Sequence, residues 1–229
     1  MATLKKPTGT TQPTHYECCL HGLVAMDREP LLRTRLEALC GDTNATHKEL
    51  YHEISCIPCI ETPVGPLRKE DVMLRLRIER DPSDPLNDSL ARSSIVLYGH
   101  PEPRSSRGAT VRPAIYAQVD SDNAAQFASL LGYKFHSEYV RSGYWVLYRN
   151  MFKIIVSRIL TLPVKGDIQS AVPMDESGNW LVQIIADAVG QEQVPRMCEQ
   201  LDEVKALLED YVELLVVDHI YLQNKIPYN

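Results

Sequence analysis

The sequence predicts an α+β, mainly β domain: a closed or nearly closed antiparallel β-barrel of about eight to ten strands with two or three flanking helices. Three observations lead there. Segments of strand composition recur along most of the chain, separated by turn-forming residues. Val72 to Glu79 alternates Val72, Leu74, Leu76 and Ile78 with Met73, Arg75, Arg77 and Glu79. A strand with one apolar and one wet face belongs to an antiparallel sheet or a closed barrel. For so many strands, full closure removes the exposed edges, and a barrel is the natural outcome.

Met1 to Thr14 is Thr- and Pro-rich, with two lysines and no apolar signal-peptide core. It is expected to be a disordered tail in a cytosolic or nuclear protein. His15 to Ala25 reads as the first strand, with Cys18, Leu20 and Leu23 or Val24 among its apolar members. Asp27 can cap a helix with Pro30 in its first turn, Leu32, Leu36 and Leu39 on one face, and Gly41 as its stop. Tyr51 to Ile60 and Val72 to Glu79 are strands, followed by Ser94 to Tyr98 and Val111 to Val119. Pro113 requires a strand start or an edge. Residues 80–89 and 99–108 have turn-forming composition and are expected to be flexible. Ser121 or Asp122 can cap a short helix with apolar positions Ala124, Phe127 and Leu130 or Leu131, stopped by Gly132.

The pattern then changes to period two. Tyr133 to Arg141 is a strand, Ser142-Gly143 a tight hairpin, and Tyr144 to Arg149 the return. A turn near Asn150 leads into a third strand, Phe152 to Leu160. Trp180 to Val189 is a late strand introduced by the Glu-Ser-Gly-Asn turn, and Pro195 starts a helix bearing Met197, Leu201, Val204 and Leu208. Propensity alone extends that helix through Leu215. Residues 219–229 read as a tail.

At 229 residues and 25.9 kDa the chain can bury one substantial core, so residues 15–218 are expected to form a single domain. The net charge of −6 argues against electrostatically driven nucleic-acid binding. No apolar run approaches the ~20 residues needed to span a bilayer. Six cysteines without a secretory signal are expected to be thiols, and the sequons at Asn44 and Asn87 to be chance.

Cys56-x-x-Cys59, with His47 and His52 upstream, is the one constellation with metal-like spacing. A structural zinc site needs four ligands, and no second such pair follows; a redox pair needs a helix N-terminus. Buried thiols are the expected reading, and Cys18-Cys19 would point to opposite strand faces. There is no Gly-x-Ser-x-Gly and no Walker-type phosphate loop, and His21, His100, His136 and His219 are scattered. No catalytic, cofactor or metal residue is therefore assigned. Arg75 and Arg77 could hold a phosphate or a partner's carboxylate, but a solvated strand face is the expected reading. In the aromatic hairpin, Tyr144, Val146 and Tyr148 must face opposite to Trp145, Leu147 and Arg149.

The run Phe-Ala-Ser-Leu-Leu-Gly-Tyr-Lys-Phe from Phe127, then Glu-Tyr-Val-Arg-Ser-Gly-Tyr from Glu138, then Met-Phe-Lys-Ile-Ile-Val-Ser-Arg-Ile from Met151, resembles subunit 18 of the Mediator complex. A second block, Leu31-Leu32 through Arg35-Leu36 to Leu39-Cys40-Gly41-Asp42, is similar to the same family. The resemblance covers most of residues 15–218. It implies a non-enzymatic, nuclear, cofactor-free subunit of the Mediator head, linking transcription activators to RNA polymerase II. It implies a barrel that pairs with a homologous barrel, subunit 20, and is tethered by a C-terminal helix of subunit 8. It also places the last helix's stop near Leu208, with Tyr211 to Val217 a closing strand, which Val216-Val217 favours. The family is similar in fold to tunnel-shaped barrels that hydrolyse triphosphates, whose Glu-x-Glu pairs hold a divalent metal. This chain has no Glu-x-Glu. The alternative reading is a diverged barrel of that kind, binding a small phosphorylated ligand or RNA. As partner-binding residues the sequence suggests Trp145, Tyr148 and Met151, on a face of residues 144–151 covered by a partner.

Overall fold

The computed structural model describes residues 14–42, 44–59, 72–87, 91–103, 108–119, 124–222, 224 and 226. Among these residues the chain forms nine strands and three α-helices: β1 (His15–Val24), α1 (Glu29–Cys40), β2 (His47–Pro58), β3 (Leu74–Glu79), β4 (Arg92–Tyr98), β5 (Thr110–Val119), α2 (Ala124–Leu130), β6 (Tyr133–Tyr148), β7 (Phe152–Thr161), β8 (Val172–Pro173), β9 (Trp180–Val189) and α3 (Val194–Leu208). The sheet order is β6-β2-β3-β4-β5-β1-β9-β7, and β6 pairs with β7 to close an eight-stranded barrel. Every pairing is antiparallel, and β8 adds a short edge to β7.

The barrel carries its apolar faces outward. Leu20 and Val24 of β1, Val146 of β6, Ile154 and Val156 of β7 and Val182 and Ile184 of β9 share one buried cluster with Leu32 and Leu36 of α1 and Leu201, Val204 and Leu208 of α3. Each fully buried Leu, Ile or Val contributes about 1.5–3 kcal/mol, so the helices are held by this outer core. A smaller cluster lies under α2, where Cys56, Leu74 and Leu76 meet Ala124 and Ala128. The polar positions of the same strands face the lumen, where Arg77 of β3 meets Glu53 of β2. The face of β3 expected to be solvated is therefore an interior one.

Several local expectations change for identifiable reasons. Ser142-Gly143 is not a hairpin: β6 runs unbroken for 16 residues, with Gly143 opposite both Glu49 and Ser157. Glycine is there because β7 passes so close that a Cβ would stand 2.1 Å from the Val156 carbonyl oxygen. The true hairpin is at Arg149 and Asn150, whose φ values are 52° and 53°. The N-cap of α1 is Arg28 rather than Asp27; the turn closes through the Arg28 and Glu29 amides, which donate to the Ala25 carbonyl. α2 buries Ala124 and Ala128, while Phe127, Leu130 and Leu131 are 39%, 80% and 51% exposed. Small residues let that short helix lie close on β3 and β6. Its suggested caps, Ser121 and Asp122, lie outside the described residues, as do residues 1–13 and the centre of the 99–108 loop. Residues 80–87 form consecutive turns, with Asp84 N–H on the Asp81 carbonyl and Asn87 N–H on that of Asp84. Pro113 sits inside β5, at neither a start nor an edge, and its carbonyl accepts from Gly99 as pairing with β4 runs out.

α3 does stop at Leu208, but Tyr211 to Val217 is not a strand. Its only ladder contact among the described residues is the bridge Leu215–His21, with hydrogen bonds of 3.0 and 2.7 Å. β5 begins at Thr110, opposite Cys19, so past Cys19 the β5 side of β1 is open to residues 211–217, and the Thr110 hydroxyl donates to the Val217 carbonyl. Asn224 is anchored as well. The Asn224 side chain donates to the Met73 and Tyr98 carbonyls, and Asn224 is 3% exposed.

Candidate functional site: the barrel lumen and its rim

Alternation places Glu17, Cys19 and His21 of β1, Glu49, Tyr51 and Glu53 of β2, and Arg75 and Arg77 of β3 on the inner wall. Arg112 and Tyr116 of β5, Tyr139 and Arg141 of β6, Lys153 of β7 and Gln183 of β9 complete it. The charges form three groups. Arg112 donates to Glu17 at 2.8 Å and stacks on the Tyr98 ring at 3.5 Å, while the Tyr116 hydroxyl takes the other Glu17 oxygen. Arg77 donates to Glu53 at 2.9 Å, the Tyr139 hydroxyl donates at 2.7 Å, and Arg75 stands 4.0 Å away. Glu49 lies 3.3 Å from Arg141 and 4.0 Å from Lys153. A cavity of about 170 Å³ remains between these groups.

The environment sets the charges. Burial pushes the Glu53 carboxyl up, but Arg77 and the Tyr139 hydroxyl outweigh it and hold the group below its ordinary value. Burial wins at Glu49, whose carboxyl is raised despite Arg141 and Lys153, and at Lys153, whose ammonium is lowered. Burial, then Arg112 and Arg141, push His21 down to about 4. Burial and the neighbouring Glu79 and Glu49 push the Tyr51 hydroxyl up to about 12. Lumenal carboxylates are thus engaged by basic or hydroxyl side chains on facing strands.

Trp145 lies at the rim of this lumen. Its ring stacks on His47 with centroids 4.4 Å apart, and the Lys153 ammonium sits 4.8 Å from its centroid. Tyr148 is on the opposite face of β6, 8% exposed, in the outer core beside Phe152. Met151 is half-buried at the hairpin tip against the same core. The three suggested residues therefore do not share a surface: one faces the lumen and two face the outer core. Nor do the cysteines and histidines converge. Cys56 lies under α2, His52 pairs with Glu138 at 2.8 Å on the outer wall, and His47 lies against Trp145. No three His, Cys, Asp or Glu side chains among the described residues form a metal-holding group. None of the six cysteines is disulfide-bonded.

The sequence reading missed the lumenal set Glu17, Glu49, Glu53, Arg112, Arg141 and Lys153. The signal was present in Glu49-x-Tyr51-x-Glu53, three polar residues at period two on one strand face. Two outer surfaces also stand out. Phe127, Leu130, Leu131 and Phe135 expose apolar area around α2, and a groove of about 430 Å³ runs between α3 and residues 212–215, with Asp202, Glu209 and Glu213 in its walls.

No curated protein sequence matches the chain. Among solved structures it is similar to a chain of the Schizosaccharomyces pombe Mediator head module, with 22% identity, a TM-score of 0.70, and 88% of this chain and 98% of that one covered. It is also similar to the PH1819 protein of Pyrococcus horikoshii, with 17% identity, a TM-score of 0.57 and coverage of 90% and 97%. The Mimivirus capping enzyme triphosphatase matches at 8% identity and a TM-score of 0.50, covering 86% and 90%, a likeness of fold alone. The family model for the Med18 protein matches residues 82–225. With more than half of the chain inside that match, this barrel belongs to the Mediator subunit 18 family.

Proposed function

We propose that this chain is a non-enzymatic subunit of the nuclear Mediator head module that scaffolds contacts regulating transcription initiation by RNA polymerase II. Family membership is the observation that carries this reading. The lumen supports it: Glu17 and Glu53 are taken up by arginines and tyrosine hydroxyls, an arrangement of a braced wall rather than a carboxylate cradle for a cation. The exposed apolar area at α2 and the groove beside α3 offer surfaces for association. The partners are the homologous barrel of subunit 20 and the C-terminal helix of subunit 8, with RNA polymerase II contacted indirectly. For direct contact we assign the hairpin end of β6, through Trp145 at the rim and Met151 at the tip. Tyr148 acts there from beneath, by fixing the hairpin on the core. Binding of the full chain to subunits 20 and 8 tests the proposal directly. Retention of both supports it; a chain that binds neither, or that releases phosphate from tripolyphosphate with a divalent metal, refutes it.

A further inference from the structure

The negative charge of this chain is concentrated in one place. Residues 199–218 hold seven acidic residues and one base, Lys205, a net charge of −6 that equals the net charge of the whole chain. The rest of the sequence is balanced. Asp202 and Ala206 of α3 and Glu209 at its C-cap recur at helical spacing and so share one stripe. Glu213 and Leu215, from the stretch that follows, face them across the groove of about 430 Å³. That volume falls in the roughly 300–1,000 Å³ range of specific binding pockets.

The walls say what the groove takes. Asp202, Glu209 and Glu213 are exposed, and their carboxylates carry no ion pair or side-chain hydrogen bond among the described residues. The adjacent Glu203, by contrast, pairs with Arg149 at 3.4 Å. No three acidic, His or Cys side chains among the described residues stand close enough to hold a metal ion, so the cation that fits these walls is a lysine or arginine side chain. Between the charges lie Ala206 and Leu215, both exposed, which offer apolar contact. A nucleic acid is repelled by such walls, and a second copy of this chain brings no basic excess to them. The groove is also fixed in advance. Leu215 is locked to His21 by hydrogen bonds in both directions, and β1 passes so close that a Cβ at Gly22 would collide with the Glu213 carbonyl. From α1, Arg35 donates to the Leu207 carbonyl at 3.2 Å and Arg28 to that of Asp210 at 2.8 Å, pinning the turn between the two walls. A preformed groove spares its occupant the cost of ordering the receptor.

We infer that the groove beside α3 is a docking site for a Lys/Arg-rich segment of a partner protein, with aliphatic side chains of that segment seated on Ala206 and Leu215. Asp202, Glu209 and Glu213 take its basic side chains and set its direction along the groove. The inference rests on the reading of the chain as an association scaffold. Its test uses the isolated chain and a synthetic peptide, so a failure here is separate from a failure to bind subunits 20 and 8.

The probe is a fluorescein-labelled peptide, Lys-Lys-Leu-Arg-Lys-Leu-Lys-Arg, titrated with the full chain and read by fluorescence anisotropy. A second peptide carries serine in place of both leucines. The wild type binds the first peptide saturably, with a Kd below about 100 μM that weakens as salt rises from about 0.05 to 0.5 M. Glu209→Lys with Glu213→Lys weakens binding at least about tenfold; a lysine near a helix C-terminus is favourable, so this variant is expected to fold. Glu176→Lys with Glu192→Lys makes the same change in net charge at exposed sites outside the groove and leaves binding within about twofold. Leu215→Ser, and the serine peptide on the wild type, each weaken binding at least about fivefold with no change in charge. Melting curves check that each variant is folded, and the two leucine arms decide the matter if the groove pair is not. Equal weakening by the two charge-reversed pairs reduces the effect to general attraction by an acidic protein and overturns the inference. So does an unchanged Kd in both leucine arms, or a wild type that does not bind the leucine peptide.

Discussion

Glu53→Ala is the sharpest probe of a barrel whose polar face is interior. Glu53 is 2% exposed and accepts from Arg77 at 2.9 Å and from Tyr139 at 2.7 Å, with Arg75 at 4.0 Å. Removing the carboxylate leaves Arg77 as a buried charge without its partner and Tyr139 as a buried hydroxyl without an acceptor. Breaking a buried pair from one side costs about 3–5 kcal/mol, whereas exposed pairs are worth about 0–1 kcal/mol. For a chain of this size the loss corresponds to a fall in Tm of roughly 6–20 °C, at about 2–4 °C per kcal/mol. The double variant Glu53→Met with Arg77→Met, which removes both charges and restores apolar volume, should recover most of the stability. Urea unfolding followed by circular dichroism measures both, with the midpoint compared at constant m. A loss in Glu53→Ala below about 1 kcal/mol would place the pair in water and refute the interior assignment of this face.

Other consequences follow from the same geometry. Trp145→Ala should weaken binding to the partner subunits by about 2 kcal/mol while leaving the isolated chain folded, whereas Tyr148→Ala should cost about 3–5 kcal/mol of stability because it empties a core position; a melting curve and a pull-down on each variant separate the two effects. Gly143→Ala should destabilise by about 1–3 kcal/mol, since its methyl meets the β7 backbone rather than a movable side chain, and a neutral result in urea unfolding contradicts the continuous β6. His21, lowered from 6.5 to about 4, binds protons more readily unfolded than folded, so its contribution is complete above pH 6.5 and is lost as pH falls towards 4. Glu53, held below its ordinary value, acts in the same direction further down, while Glu49, raised by burial, opposes both. The difference between wild type and His21→Gln across pH 7 to 5 therefore isolates the histidine; parallel stability curves would contradict its burial in neutral form.

The strands and helices that pack against the outer core were largely legible from sequence. Trp180–Val189 is a strand at the expected bounds, and Leu201, Val204 and Leu208 do face inward from α3. Their apolar residues repeat at the period of the element, and nothing nearby competes with that signal. The orientation of the polar face was not legible. Alternation records that Arg75 and Arg77 share an environment distinct from that of Leu74 and Leu76, without recording that the polar side is enclosed. Only the closure of β6 on β7 turns that side into a lumen, and the closure is a long-range pairing. Gly143 misled because glycine serves both turns and close backbone approaches, and the Val156 carbonyl that leaves no room for a Cβ there belongs to a strand that follows it in sequence. α2 misled because its contact face is made of alanines, while its large apolar residues point outward. The suggested site suffered in the same way: Trp145 and Tyr148 are three apart on one strand and so occupy opposite faces.

The measurement that tests the central claim most directly is affinity purification of the tagged full chain from nuclear extract, with its companions identified and quantified by mass spectrometry. Membership of the subunit 18 family and a braced, ion-paired lumen predict near-stoichiometric recovery of head-module subunits, subunits 20 and 8 among them. Recovery of the chain alone, without any Mediator subunit, would contradict the account.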